Sequence, residues 1–165
     1  MTNVVDPSND NFPPARVTDL SVFNLGNDLS LSFTSPGDDL DSVDHVAEYI
    51  IKYSSTAGNL SGSNFDNESF NNMIQAGDLL DSDLTPVNGG TLKEIRIRKS
   101  IFIAGKKYVF AMVASDEVGN KSPVSNIVQV LVSVSNNAVI PQLMGKIALS
   151  CIVLICIFLA FGQLT

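Results

Sequence analysis

Tryptophan is absent from this 165-residue chain, histidine occurs once and cysteine only twice. Each scarcity removes a class of chemistry. Both cysteines, Cys151 and Cys156, fall inside one apolar run, so residues 1–150 offer no disulfide and no thiolate metal site. His45 has no cysteine partner and belongs to no H-E-x-x-H pair, which leaves neither a zinc-hydrolase motif nor a ready nucleophile and base. A surface-loop role is the simpler reading for it, and the chain is expected not to be an enzyme. Basic residues are also scarce, ten Lys and Arg against seventeen Asp and Glu, a formal charge of -7. Nucleic acid is therefore not an expected partner, because a phosphate-binding surface needs an excess of positive charge. No small-molecule substrate is expected either.

A secretory leader is missing too. The opening MTNVVDPSND has neither a basic start nor an apolar stretch. Two expectations follow. The chain is the C-terminal part of a longer secreted precursor, or it is a tail-anchored adaptor whose folded part faces the cytosol. Lys146 ahead of the apolar run, with nothing basic after it, favours the second by charge alone.

What the chain does have is a tail. Residues 143–164 are apolar except for Lys146, Gln163 and a few small residues, and Ile147 to Phe161 carries no charge. About 20 apolar residues in a helix cross a hydrocarbon core, so a C-terminal apolar helix in a membrane is expected. Ser135-Asn136-Asn137-Ala138 followed by the short spacer 135–142 also has the layout of a glycosylphosphatidylinositol signal, with Asn136 or Asn137 as the attachment residue. Val139 and Ile140 make the spacer less polar than usual, whereas the absence of a basic stop after Phe161 suits a lipid anchor. Both attachments stay open.

Between a linker over 1–12 and the spacer, residues 13–134 alternate with period two. Leu29, Leu31 and Phe33 alternate with serines and a threonine in DLSLSFT; Tyr49, Ile51 and Tyr53 alternate in EYIIKYS, and Ile95 and Ile97 in EIRIR. In KKYVFAMVAS, Tyr108, Phe110, Met112 and Ala114 share one face and Val109, Ala111 and Val113 the other, as in a central strand covered on both sides. With a first strand in 15–23 and a last one in 126–134, the count is about seven strands, an all-β sandwich. Residues 56–90, rich in Asn, Ser, Gly and Asp with apolar Met73, Ile74, Leu79 and Leu80, read as a polar insertion holding one short strand.

These residues carry a resemblance. PARVTDL, LSFTSPGDD, EYIIKYSS and GKKYVFAMVASDEVGNKSPVSN are similar to a fibronectin type III domain. Tyr108, three residues after Gly105, opens the strand where that fold places its tyrosine corner, and Phe33 stands where a core Trp is usual. PGDDLD, YIIKYS, NFDN and the final YVFAMVASDEVGNKSPVSNIVQV further resemble the C-terminal fibronectin-type domain of the calcium-activated chloride channel regulators. The resemblance implies a secreted or cell-surface protein with a protease-like and a von Willebrand A domain upstream; neither lies in these residues.

Several motifs invite sharper readings. Asp28-Leu29-Ser30-Leu31-Ser32 spells a metal-ion-dependent adhesion site, but its serines fall on the outward face of a strand. Asp38, Asp39, Asp41 and Asp44 cluster in one loop and could supply oxygens to calcium, although no EF-hand spacing is present and a solvated acidic loop is simpler. The leader Asp6 to Pro13 resembles a cadherin calcium linker, with Pro7 where the acid should be. Lys93, Arg96, Arg98, Lys99, Lys106 and Lys107 form a basic band suited to sulfated glycans or lipid head groups, or merely to the wet face of an edge strand. Asn59, Asn67 and Asn120 open N-x-S sequons on loops. The expectation is a membrane-anchored extracellular module that binds a protein partner or an upstream domain of its own precursor, with calcium the one candidate cofactor.

Overall fold

A computed structural model describes residues 11–40, 42–67, 69, 72–81 and 83–133. The period-two segments form seven strands there: β1 (Ser21–Leu25), β2 (Asp28–Thr34), β3 (Glu48–Ser54), β4 (Asn72–Met73), β5 (Leu92–Arg98), β6 (Lys107–Ser115) and β7 (Val128–Leu131). They pair antiparallel in two sheets, ordered β1-β2-β5 and β4-β3-β6-β7. This is the all-β sandwich that the alternation predicts, in the fibronectin type III-like form that the resemblance implies.

The core lies between the sheets. Leu29, Leu31 and Phe33 of β2 and Ile95 and Ile97 of β5 face Tyr49 and Ile51 of β3 and Phe110, Met112 and Ala114 of β6, all buried. Phe33 is buried and meets Tyr49 edge-on at 5.0 Å between ring centres. The Tyr49 hydroxyl is tied to Ser35 Oγ (2.6 Å) and accepts the Val87 N–H (3.1 Å). Tyr108 packs beside Tyr53 and Phe102, and its hydroxyl accepts the Ile103 N–H at 3.1 Å, closing the tyrosine corner.

Three details differ from the sequence reading. The first strand is short: residues 15–20 lie outside it, with Val17 and Leu20 buried as core plugs. Ser30, on the outward face, is nonetheless fully buried, with its hydroxyl satisfied by donating to Glu94 (2.7 Å). The insertion is also less polar in effect than in composition. Two 3₁₀ turns, Ala57–Leu60 and Gly62–Asp66, seat Leu60 and Phe65 on the outer face of β6 against Val109, Ala111 and Val113. Lys52 locks that lid by donating to the Phe65 carbonyl at 2.7 Å with its ammonium 4.9 Å from the Phe65 ring centre.

The leader through residue 10, Asp41, Asn136, Asn137, the spacer 135–142 and the tail 143–164 lie outside the described residues. Among those described, no helix is long and apolar enough to cross a membrane.

Candidate functional site at the acidic loop end

Two loops meet at one end of the sandwich. The β2–β3 loop follows Thr34, and the β6–β7 turn begins at Asp116. The first is built on close backbone approach: a Cβ on Gly37 would stand 2.0 Å from the Ser42 carbonyl oxygen, and one on Gly89 2.2 Å from the same atom. Only glycine fits at either place. Asp38 N–H donates to the Asp44 carbonyl (3.2 Å) and Gly89 N–H to that of Val43 (3.1 Å), which pins the loop's shape. Leu40 is held at φ 51°, and its N–H and carbonyl bond to Pro13 (3.3 Å) and Ala15 (3.2 Å). The N-terminal segment is therefore stitched to the acidic loop.

The second loop is closed by Asp116, whose Oδ1 accepts the N–H groups of Val118 (3.1 Å) and Asn120 (2.7 Å). It presents Glu117 to Asp38, and the two carboxyls share a cleft of about 440 Å³ with Asp44, His45 and Ala47. Asp38 Oδ1 is shut off from water with no donor, as is Asp116 Oδ2. Burial first, then the charge of Glu117, a hydrogen bond to it and the charges of Asp39 and Asp116, push the Asp38 carboxyl up to about 6.

The structure thus brings Asp38 and Asp44 to one cleft, adds Glu117 and places Asp39 on the exposed rim. Among the described residues no three His, Cys, Asp or Glu converge as metal ligands, and Asp41 lies outside them. Sequence reasoning missed Glu117 and Asp116, whose only signal was the acidic turn DEVGN. His45 is an exposed loop residue whose ring nitrogen bonds the Val46 carbonyl oxygen (3.0 Å).

The remaining motifs disperse. Asp28, the first residue of the adhesion-site spelling, is paired with Arg96. The basic band is not one surface: Lys93 pairs with Asp83 (3.0 Å), Arg96 also with Asp81 (3.5 Å), Arg98 Nε donates to Leu79 O (2.9 Å), and buried Lys99 donates to Gly26 O and Ser133 Oγ. Lys106 and Lys107 are left exposed. Of the sequons, Asn59 spends its Nδ2 on Ser54 Oγ (3.0 Å), exposed Asn67 takes the Ser69 N–H on Oδ1 (3.0 Å), and Asn120 lies in the Asp116 turn with Ser122 buried.

No family model matches the chain. Individual relatives do: calcium-activated chloride channel regulator 1 of Equus caballus is 35% identical over 128 residues, 75% of this chain. The chain is a relative of the calcium-activated chloride channel regulators. Regulator 2 of Mus musculus is 28% identical over 80% of the chain, and regulator 4 of Homo sapiens 29% over 75%. The chain spans only 13%, 14% and 13% of the length of these three regulators. Among solved structures it is similar to the FN1–FN3 domains of chicken CNTN1, with 15% identity over 73% of the chain and 33% of that one, TM-score 0.43. It is also similar to the spore cortex lytic enzyme SleM of Clostridium perfringens, with 20% identity, 74% and 29% coverage and TM-score 0.41. Pectate lyase Pel3 of Pectobacterium carotovorum follows at 11% identity, 76% and 29% coverage and TM-score 0.43. The expectation that the chain is not an enzyme is withdrawn on this finding: two of these structures are enzymes, so possession of such a sandwich does not set a chain apart from them. Neither reaction is carried over to this chain.

Proposed function

We propose that this regulator-like chain is a membrane-anchored extracellular interaction module whose acidic loop end meets an upstream part of the same precursor. One observation carries the reading: the Pro13–Ala15 segment is hydrogen-bonded to Leu40 in the acidic loop, so whatever precedes residue 13 arrives beside Asp38, Asp39, Asp44 and Glu117. Exposed Leu40 and Val43 give that end apolar contact area between the carboxylates. The small share of the relatives' length supports further domains upstream, and the uncharged run 147–161 supports attachment to a bilayer.

Labelling of the native protein on intact cells with a membrane-impermeant amine reagent tests the orientation. Labelled Lys121, an exposed lysine beyond the acidic turn, supports an extracellular sandwich. Labelling only after permeabilisation overturns it in favour of a cytosol-facing, tail-anchored adaptor. A phospholipase that cleaves glycosylphosphatidylinositol anchors then separates the two attachments, since release excludes a retained helix.

A further inference from the structure

The chain leaves the sandwich at the end far from the acidic loops. Leu131 pairs with Lys107 at the start of β6, whereas Asp116 follows its last residue, so the length of β6, about 27 Å at 3.4 Å per step, separates the two ends. The last described residues are tied down there. Val132 N–H bonds Lys106 O (3.0 Å), Gly105 N–H bonds Val132 O (2.8 Å), and Asn24 takes the Ser133 N–H on its Oδ1 (3.1 Å) while donating to Leu131 O (2.9 Å).

Around this point stand apolar side chains that the fold does not use. Leu25 is 41% exposed, Ile103 55% and Leu131 52%. Lys106 and Lys107 are exposed among them, while the neighbouring charges are spent internally: Lys99 on Gly26 and Ser133, Arg98 on Leu79, and Asp28 with Arg96. The opposite end carries Asp39, Asp44 and Glu117. Ten residues after Ser133 the apolar segment 143–164 begins, and fully extended chain covers at most ~35 Å in ten residues. If that segment holds the protein to a bilayer, this end can reach the bilayer surface.

We propose that Leu25, Ile103 and Leu131, with Lys106 and Lys107, form a lipid-contact surface that seats the sandwich on the bilayer. The apolar side chains lie in the interfacial layer and the two ammonium groups meet lipid phosphates, the arrangement by which amphipathic surfaces hold to membranes. The acidic end is thereby turned away from the phosphates and toward the rest of the precursor. This inference rests on the membrane-anchored reading.

The absence of tryptophan makes the test direct. Full-length chain carrying I103W, L131W or V43W is reconstituted with vesicles of phosphatidylcholine and phosphatidylglycerol, and each single tryptophan is quenched with lipids brominated on the acyl chains. Val43, 75% exposed in the acidic loop, is the control. Quenching of I103W and L131W at least threefold stronger than that of V43W is expected, and K106E/K107E should reduce it for I103W without loss of flotation. Flotation with equal quenching at all three positions overturns the lipid-contact surface and leaves the anchored reading intact. Failure of the chain to float with the vesicles overturns both.

Discussion

Replacing Asp38 by Asn isolates the charge that the acidic end holds at a cost. In the folded chain burial and the neighbouring carboxylates push the Asp38 carboxyl from its ordinary 3.8 up to about 6, a rise of about two pH units. At 1.36 kcal/mol per unit the ceiling is ~3 kcal/mol. Glu117 is exposed, so solvent screening brings the net figure to about 1 kcal/mol. The sign follows from proton binding: the folded state binds the proton more tightly, so this group's contribution is complete below pH ~4 and is lost as pH rises through 6. D38N cannot ionise and escapes that loss. Thermal unfolding of wild type and D38N at pH 4 and pH 7.5 reads the effect. The two should melt together at pH 4, and D38N should melt about 4 °C higher at pH 7.5. Equal melting at pH 7.5, or a variant less stable there, would refute the account of a repelled, donor-starved carboxyl.

Three further substitutions test the frame that holds this end. Y49F removes the acceptor of the Val87 N–H and the partner of Ser35, and should cost about 1–2 kcal/mol in denaturant unfolding with an unchanged m-value. G37A drives a Cβ to 2.0 Å from the Ser42 carbonyl oxygen; the loop must shift, so the raised titration near 6 should move back toward 4, observable by NMR of the Asp38 carboxyl. K52M strips the Phe65 carbonyl of its donor and should speed chymotryptic cleavage at Phe65 about threefold or more with far smaller change in the global midpoint.

The strands were legible because burial on one face writes a period of two into residues such as Leu29, Leu31 and Phe33, and into Ile95 and Ile97. Tyr108 was legible from its spacing after Gly105, since a corner tyrosine serves a local bond to Ile103. What escaped was set by partners distant in sequence. Leu60 and Phe65 sit in GNLSGSNF with no period, and their burial follows from the apolar outer face of β6. Lys52 falls on the outward side of β3 and is buried only because that lid descends on it. Glu117 joined the acidic cluster through the meeting of two loops, which composition within either loop cannot express. The basic band failed for the converse reason. Neighbours in sequence on β5 and after it turn to different partners, Asp83, Asp28, Leu79 and Gly26.

The central claim, a sandwich outside the cell held to its membrane, meets its most direct test in one fractionation of the native protein. Carbonate-washed membranes are collected and the chain's mobility is compared before and after removal of N-linked glycans. Recovery in the membrane pellet with a mobility shift is predicted, because Asn59, Asn67 or Asn120 can be modified only on the lumenal side. Recovery in the membrane pellet without a shift, with the sandwich digested by protease added to intact microsomes, would place it on the cytosolic side and contradict the account.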